Sequence, residues 1–572
     1  MQSVINAVSV YSKLQLPSGH WACEEGGPLF LLPGLVITWF VTEASIPEAF
    51  KIEIKNYLFA RQNADDGSWG LHIEAEGSVF GLAMNYTALR LLGVRADHQR
   101  LCKARSELHR LGGALNAPHW AKFWLSVLGV MPWDIVNPVP PEFISPRDNY
   151  HSKSWLLNTA NWLIVNIWNP YLRHDKLRTA AEAWVYDLIQ HEDENTEYVN
   201  LGPVNAPMNT LVCYIQQGPK STAMARHLDH LMDYLWKKDE GMLMNGTNGA
   251  QVWDTAFSIQ AIVDTGLADD PRYQPTLMKA LEFLEEHQIR DDCREQGICY
   301  RHYRKGAWPF STRQQGYTVT DCTAEGLKSV LALQSIPGYP NIVTEDRLCD
   351  AVNILLSMQN NTGGCSSYEL RRGSEHLEYL NAAEVFGQIM VEYDYVECTA
   401  ACMLALDKFR KVNPFYRALE IENFIQRAIK FIRSAQRDDG SWYGSWGICF
   451  TYGTMFALEA LEAVGDTWHN SESIRCACEY LLAHQREDGG WGESFRGCEL
   501  GFYVDHKDTQ IVQTAWACIG LMQAGYPDME PIEALEGVFN KSGMISYTNY
   551  KYIFPIKALG LFARKYGNIN VL

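Results

Sequence analysis

The chain has 572 residues, 47% of them hydrophobic and 20% charged, and carries a net charge of −18. That length exceeds what one core usually serves, so two large domains are expected, and the composition excludes a disordered chain. The negative balance argues against nucleic acid and against electrostatic attachment to anionic lipid.

The first ten residues show no signal peptide. The 15 cysteines are scattered, without a C-x-x-C pair or a histidine cluster at zinc spacing, which favours a reducing, cytosolic face over a disulfide framework. The longest apolar run, Pro28 to Val41, contains two prolines and is too short to span a bilayer, so any membrane association should be monotopic. Aromatic residues make up 12% of the chain, enough to supply a core and still line a pocket.

Helical patterning then repeats along the chain. Apolar residues recur at three- and four-residue steps at Ile54–Phe59, Leu89–Leu92, Phe257–Ile262, Leu277–Leu284, Ala351–Met358, Phe424–Ile432 and Ala477–Ala483. Gly or Asp-Gly turns separate these segments, and no useful run of alternating strand residues appears. The reading is all-α. Near helix ends a short pattern returns: Gln436…Gly440-Ser441-Trp442 and Gln485…Gly489-Gly490-Trp491, a longer-looped Gln62…Gly67-Ser68-Trp69, and Gln359…Gly363…Cys365 with Cys in the place of Trp. Glycine suits the positive-φ turn, Gln can bond free helix-end groups, and Trp covers the joint. Repeated helical hairpins of this kind close into an α/α barrel or stack as a solenoid.

The most specific stretch is Val319-Thr320-Asp321-Cys322-Thr323-Ala324-Glu325, directly before the helical pattern Leu327, Val330, Leu331, Leu333. Local chemistry alone makes Asp321 a helix N-cap.

Asp321 to Glu325, the Gln…Trp repeats, Trp253-Asp254-Thr255-Ala256-Phe257, Tyr395-Val396-Glu397-Cys398-Thr399 and Gly444-Ser445-Trp446-Gly447 resemble the oxidosqualene cyclases of the triterpene cyclase family, over nearly the whole chain. The nearest likeness is to the fungal, lanosterol-forming branch. The resemblance implies two α/α-barrel domains, placed at 1–215 and 216–572, with the repeats as stabilisers. It implies acid-initiated cyclisation of 2,3-oxidosqualene without a cofactor or metal. By the same resemblance Asp321 is the general acid, Cys322 and Cys398 are thiols donating to it, and Glu325 connects it to solvent. Tyr368 matches a tyrosine that helps remove the final proton. Trp253, Phe310, Trp446, Tyr452, Phe539 and Tyr547 match cation-stabilising walls, with Trp124 added from Lys122-Phe123-Trp124. Peripheral membrane attachment at the cytosolic face of the endoplasmic reticulum or a lipid droplet, and a homodimer, are implied as well.

The chain departs from the family in definite places. Trp133-Asp134-Ile135-Val136-Asn137 runs almost directly into Ser152-Lys153-Ser154-Trp155, where family members carry a long segment. That segment holds the histidine that works with the tyrosine at Tyr368, and His151 beside the joint does not align with it. A further repeat is missing where Ile532–Leu535 meets Glu536-Gly537-Val538, and Glu25 stands in the place of a substrate-pressing tyrosine. Loss of a barrel segment should expose its neighbours' apolar faces and open the pocket to water. A squalenoid-binding member that keeps the barrel without turnover is therefore the alternative reading.

Overall fold

The computed structural model describes residues 2–136, 145–148, 153–526, 537–539 and 543–566, with backbone alone for 537–539 and 543–547. The second half of the chain forms a closed ring. Inner helices Gln251–Asp264, Thr320–Gln334, Val396–Val412, Cys449–Ala463, Ile511–Ala524 and Tyr550–Tyr566 pack each on the next, and the last returns to the first. The first five lack a solvent face along most of their length, and every residue from Thr320 to Leu333 is buried. Outer helices sit in the grooves between them and are amphipathic. Ala418–Ser434, for example, buries Ile421, Phe424, Ile425, Ala428, Ile429 and Ile432 at three- and four-residue steps. The N-terminal helix, Gln2–Ser12, joins this outer layer beside Tyr550–Tyr566, placing Val4, Val8 and Tyr11 in the C-terminal core.

The repeats fasten the two layers together. Trp442, Trp491 and Trp69 donate their indole N–H to the carbonyls of Ile432, Leu481 and Leu58, at 2.7, 2.6 and 2.7 Å. Each indole thus bonds a carbonyl near the end of the preceding helix, adding a second donor where Ile432 O and Leu481 O already take the amides of Ala435 and His484 at 3.2 Å. Gln436 Nε2 donates to Gly440 O inside its own turn and to Ser473 O just inside the next outer helix, both at 2.9 Å. Gln359 does the same with Gly363 and Phe424, at 3.0 and 2.9 Å, although Cys365 replaces the indole.

Two further copies complete the set, one with a longer loop and one with the same spacing as Gln436…Trp442. Gln288 bonds Gly306 O and Arg347 O at 2.9 and 3.0 Å while Trp308 bonds Leu284 O at 2.8 Å, across a much longer loop. Gln15 bonds Gly19 O and Thr276 O at 2.7 and 2.8 Å, and Trp21 bonds Tyr11 O at 3.0 Å. In that copy Gly19 has a φ of +95°, and a Cβ there would lie 2.2 Å from Lys279 O, so both conformation and space require glycine.

The N-terminal half builds a second core around Leu31–Val41, the apolar run noted in the sequence, which is buried along almost its whole length. Here the inner helices form an arc, His119–Val127, Val79–Leu91, Leu31–Val41 and Asn205–Gln217. Among the described residues no helix closes the arc between its two ends, as the shortened joint implies. The helix Trp155–Leu163 and its π-helical continuation Ile164–Leu172 stand away from the core instead. Trp155 and Tyr171 are 77% and 79% exposed, and Trp162, Trp168 and Trp184 are also exposed. Short strands close the seam between the halves, with Glu25–Gly26 pairing antiparallel to Ser546–Tyr547.

Candidate active site

A cavity of about 1000 Å³ lies between the two cores and takes its walls from both. Asp321, Trp253, Phe310, Trp446 and Tyr550 face it from the C-terminal ring. Phe30, Trp120, Phe123 and Phe386 face it from the other side, where the Phe30, Trp120 and Phe386 rings meet at 5.2–5.8 Å. The lining is therefore largely aromatic, and ionisable side chains stand out against it.

Asp321 is buried at the start of the second inner helix. The cap position belongs to Val319, whose side chain cannot accept, so Asp321 lies within the first turn rather than capping it. This corrects the N-cap reading. Oδ1 accepts from the Cys322 backbone N–H at 2.9 Å, and Oδ2 accepts from Cys398 Sγ at 3.6 Å. Burial dominates the electrostatics and pushes the carboxyl up to about 6, with Glu325 adding to the rise and the Cys322 and Cys398 donors opposing it. Burial first, then the charge of Asp321, hold both thiols well above their usual range, so they remain neutral donors. Asp321 is thus a carboxylic acid that holds its proton to a higher pH than an ordinary aspartate and has donors ready for the oxygen it leaves behind.

Glu325 sits one turn further on, behind the cavity wall. It accepts from Gln260 Nε2 at 2.7 Å and pairs with Lys328 Nζ at 2.8 Å. Lys328, Lys408, Glu459 and Lys557 continue this polar column inside the ring, and Lys557 Nζ meets Glu459 at 2.9 Å. The wall aromatics are placed as follows. Trp253 lies 5.8 Å from Phe310 and donates to Tyr550 Oη at 2.8 Å, and Trp446 lies 5.3 Å from Tyr395. Tyr452 is one layer back, against Trp516 at 4.9 Å, and a Cβ on Gly447 would strike its ring at 2.5 Å. Trp124 packs on Gly34 in the N-terminal core, and its helix turns Trp120 and Phe123 to the cavity instead. The side chains of Phe539 and Tyr547, and His151, lie outside the described residues.

Tyr368 reaches the cavity from a long excursion whose base is pinned where Tyr395 N donates to Cys365 O at 3.0 Å. The excursion carries Phe386 across into the N-terminal core and returns with Glu392 beside Tyr368. Tyr368 stands edge-on to Tyr317 at 6.3 Å. Arg301 lies over the face of Tyr317 at 3.3 Å, and the Tyr317 hydroxyl donates to Glu192 at 2.6 Å. Burial and the surrounding acids push the Tyr368 phenol well above its usual range.

Three ionisable features were not visible in the sequence. Glu392 lines the cavity and accepts from the Tyr368 N–H at 3.0 Å, and burial raises its carboxyl to about 7. His119, also on the lining, pairs with buried Glu384, which takes Lys153 at 3.0 Å. Asp254, raised by burial to about 7, accepts from Cys23 Sγ and Asn549 at 2.9 and 2.8 Å. It repeats the acid–thiol pairing of Asp321 but ties three distant segments together behind the wall. Glu25 does lie on the lining, buried, with Thr247 hydrogen-bonded to its carboxylate.

Comparison with known proteins agrees with this architecture. The squalene-hopene cyclase N-terminal domain matches residues 4–155, and the squalene-hopene cyclase C-terminal domain matches residues 250–538. The chain is 52% identical to lanosterol synthase erg7A of Aspergillus fumigatus, covering 100% of this chain and 87% of that protein. It is 40% identical to the lanosterol synthase of Mus musculus over 99% of this chain and 88% of the mouse protein. The Aspergillus alignment runs over 655 positions, so the relative carries residues with no counterpart among the 572 here. Among solved structures, ent-copalyl diphosphate synthase from Streptomyces platensis superposes with a TM-score of 0.55 at 14% identity, covering 98% of this chain and 99% of that one, a likeness of fold. An aromatic cavity with a buried acid, helical hairpins sealed by repeated indoles, and identity over the full chain lead to one assignment: this protein belongs to the squalene-hopene and oxidosqualene cyclase family of terpene cyclases.

Proposed function

We propose that this protein cyclises (3S)-2,3-oxidosqualene to lanosterol or a related tetracyclic triterpene. The observation that carries the reading is Asp321, a carboxyl raised to about 6 and supported by Cys398, facing an aromatic cavity of about 1000 Å³. Such an acid can protonate an epoxide oxygen, and the neighbouring donors stabilise the carboxylate that remains. The resulting cation needs electron-rich surroundings free of nucleophilic water. Each aromatic face contributes roughly 0.5–2 kcal/mol of attraction, and Trp253, Phe310 and Trp446 supply several together. Tyr452, behind them, sets the position of the wall. Glu325 and its column offer a polar route to the acid from the far end of the ring.

The direct test is to supply the epoxide to detergent-solubilised protein and analyse the products by mass spectrometry. A cyclic triterpene isomeric with the substrate is the expected result. Unreacted epoxide from folded protein would transfer the assignment to the second reading, a squalenoid-binding member without turnover. The unclosed N-terminal arc is the observation that favours that reading.

The same substrate is insoluble in water, which bears on the exposed arm. No acidic or basic residue occurs from Trp155 to Leu172, and Arg173, Lys176 and Arg178 follow at once. Exposed Trp and Tyr beside basic residues suit the headgroup level of a bilayer, so the arm serves as a monotopic contact. The endoplasmic reticulum or a lipid droplet is the surface that fits this reading. Among the described residues no helix is long and apolar enough to cross a membrane. Replacing Trp162 and Trp168 together by Glu is expected to weaken liposome binding by roughly tenfold or more. Unchanged co-sedimentation would remove the arm from this role.

A further inference from the structure

An isomerisation that begins with a proton from Asp321 must end with the loss of one, so another group on the cavity wall has to accept it. We propose that Glu392 is that acceptor, taking the proton released when the last cation collapses to an alkene. This rests on the cyclase reading above. A C–H bond next to the cationic carbon breaks, and its electron pair becomes the new π bond. The proton ends on a Glu392 carboxylate oxygen. No oxidant or co-reactant enters the balance.

The other ionisable groups on the described lining are already committed. Asp321 supplies the first proton. The Tyr368 phenol is held neutral by burial and by the acids around it, so it is a poor base. His119 and Lys153 are bound to Glu384. Glu25 is tied to Thr247, and its backbone to Asn245. Glu392 differs in what holds it. Its Oε1 accepts the Tyr368 amide at 3.0 Å, and the neighbouring backbone of Ser367 and Glu369 also favours the charged form. Backbone dipoles of this kind stabilise the charged form without neutralising it by an ion pair, and they fix its position on the wall. A carboxyl raised to about 7 can also give up the proton before the next turnover. The position beside Tyr368, at the base of the excursion, puts the carboxylate on the same stretch of cavity wall as the Tyr368 and Tyr395 rings.

A purely structural Glu392 would only anchor the 367–369 turn, and Glu392→Gln separates the two roles. The amide oxygen can still accept from Tyr368, but the charge and the basicity are gone. With oxidosqualene as substrate, the variant is expected to consume epoxide while forming at least about tenfold less of the wild-type alkene, in favour of water-captured or differently placed alkene products. The same products at the same rate would overturn the proposal. Glu392→Asp keeps a carboxylate and is expected to keep the product profile. Should Glu392→Gln lose its thermal transition, Glu392→Asp carries the test: the share of the wild-type alkene among its products should fall as acid protonates the carboxylate, and a share independent of pH would overturn the proposal. A second readout needs no turnover: binding of a tertiary amine bearing a polyprenyl tail, protonated at pH 7, followed by tryptophan fluorescence. Affinity should fall at least about tenfold in Glu392→Gln, as expected for loss of a cation's charge partner, and equal affinity would overturn the proposal. If the wild type shows no turnover, that failure belongs to the cyclase reading, and amine binding alone decides on Glu392.

Discussion

Asp321→Asn is expected to lower cyclisation about 10³-fold, within the 10²–10⁴ range typical of general acid catalysis, while leaving the protein folded. The substitution keeps the size: the amide oxygen can accept from the Cys322 N–H, and the NH2 that replaces the other oxygen can donate to the Cys398 sulfur. What disappears is the proton that opens the epoxide. The reacting form is the neutral acid, and its carboxyl sits at about 6 in the folded protein. The sign of the pH effect follows: the fraction of neutral acid is full well below 6 and falls as pH rises through 6. Turnover should therefore decline across that interval, measured as product formed per minute at saturating epoxide. A variant retaining a tenth of wild-type activity, or a wild type whose rate rises through pH 6, would remove Asp321 from the initiating role.

Trp442→Ala should cost more stability than most single changes in this chain. The ring is fully buried between an inner and an outer helix, and its N–H takes up the Ile432 carbonyl at 2.7 Å. Removing it leaves a cavity and strips the Ile432 carbonyl of one of its two donors, together about 3–5 kcal/mol. Trp442→Phe refills most of the space and loses that one hydrogen bond, about 1 kcal/mol. A protein of this size need not unfold in one step, so the readout is the shift in the first thermal transition. The order wild type, Phe, Ala is expected. Equal midpoints for all three would mean that the repeat does not seal the joint.

Much of this was legible in the residues. The all-α class came from helical periodicity, and four of the repeats came from the fixed distance between Gln, Gly and Trp. The copies at Gln288 and Gln15 were missed for different reasons. The first spreads its pattern over a long loop, so no window holds Gln288 and Trp308 together. The second keeps the spacing of the Gln436 and Gln485 copies and was simply overlooked; what only the structure adds is that the N-terminal helix carrying it docks on the C-terminal ring. Asp321 was found, but its local role was not: capping depends on where the helix begins, and the preceding turn shifted that point to Val319. Trp124 and Trp120 are four residues apart on one short helix, and only the packing against Gly34 decides which of them turns inward. Glu392 carries no pattern at all. Its position depends on the return path of an excursion that the sequence leaves undefined.

The way the ring is closed has a consequence for how the protein is made. Trp253 and Tyr550, bonded to each other at the cavity wall, are 297 residues apart in the chain. Gln2–Ser12, at the other extreme, packs on the same final helix. A nascent chain emerging from the ribosome must therefore hold five inner helices, with the outward sides of the first and the fifth uncovered, until the last one arrives. Contacts of such long sequence separation form slowly and leave the intermediate prone to aggregation. Yield in a heterologous host should thus depend on chaperone supply and growth temperature, and a fusion that sterically blocks the final helix should cost more soluble protein than an equal fusion on the exposed arm.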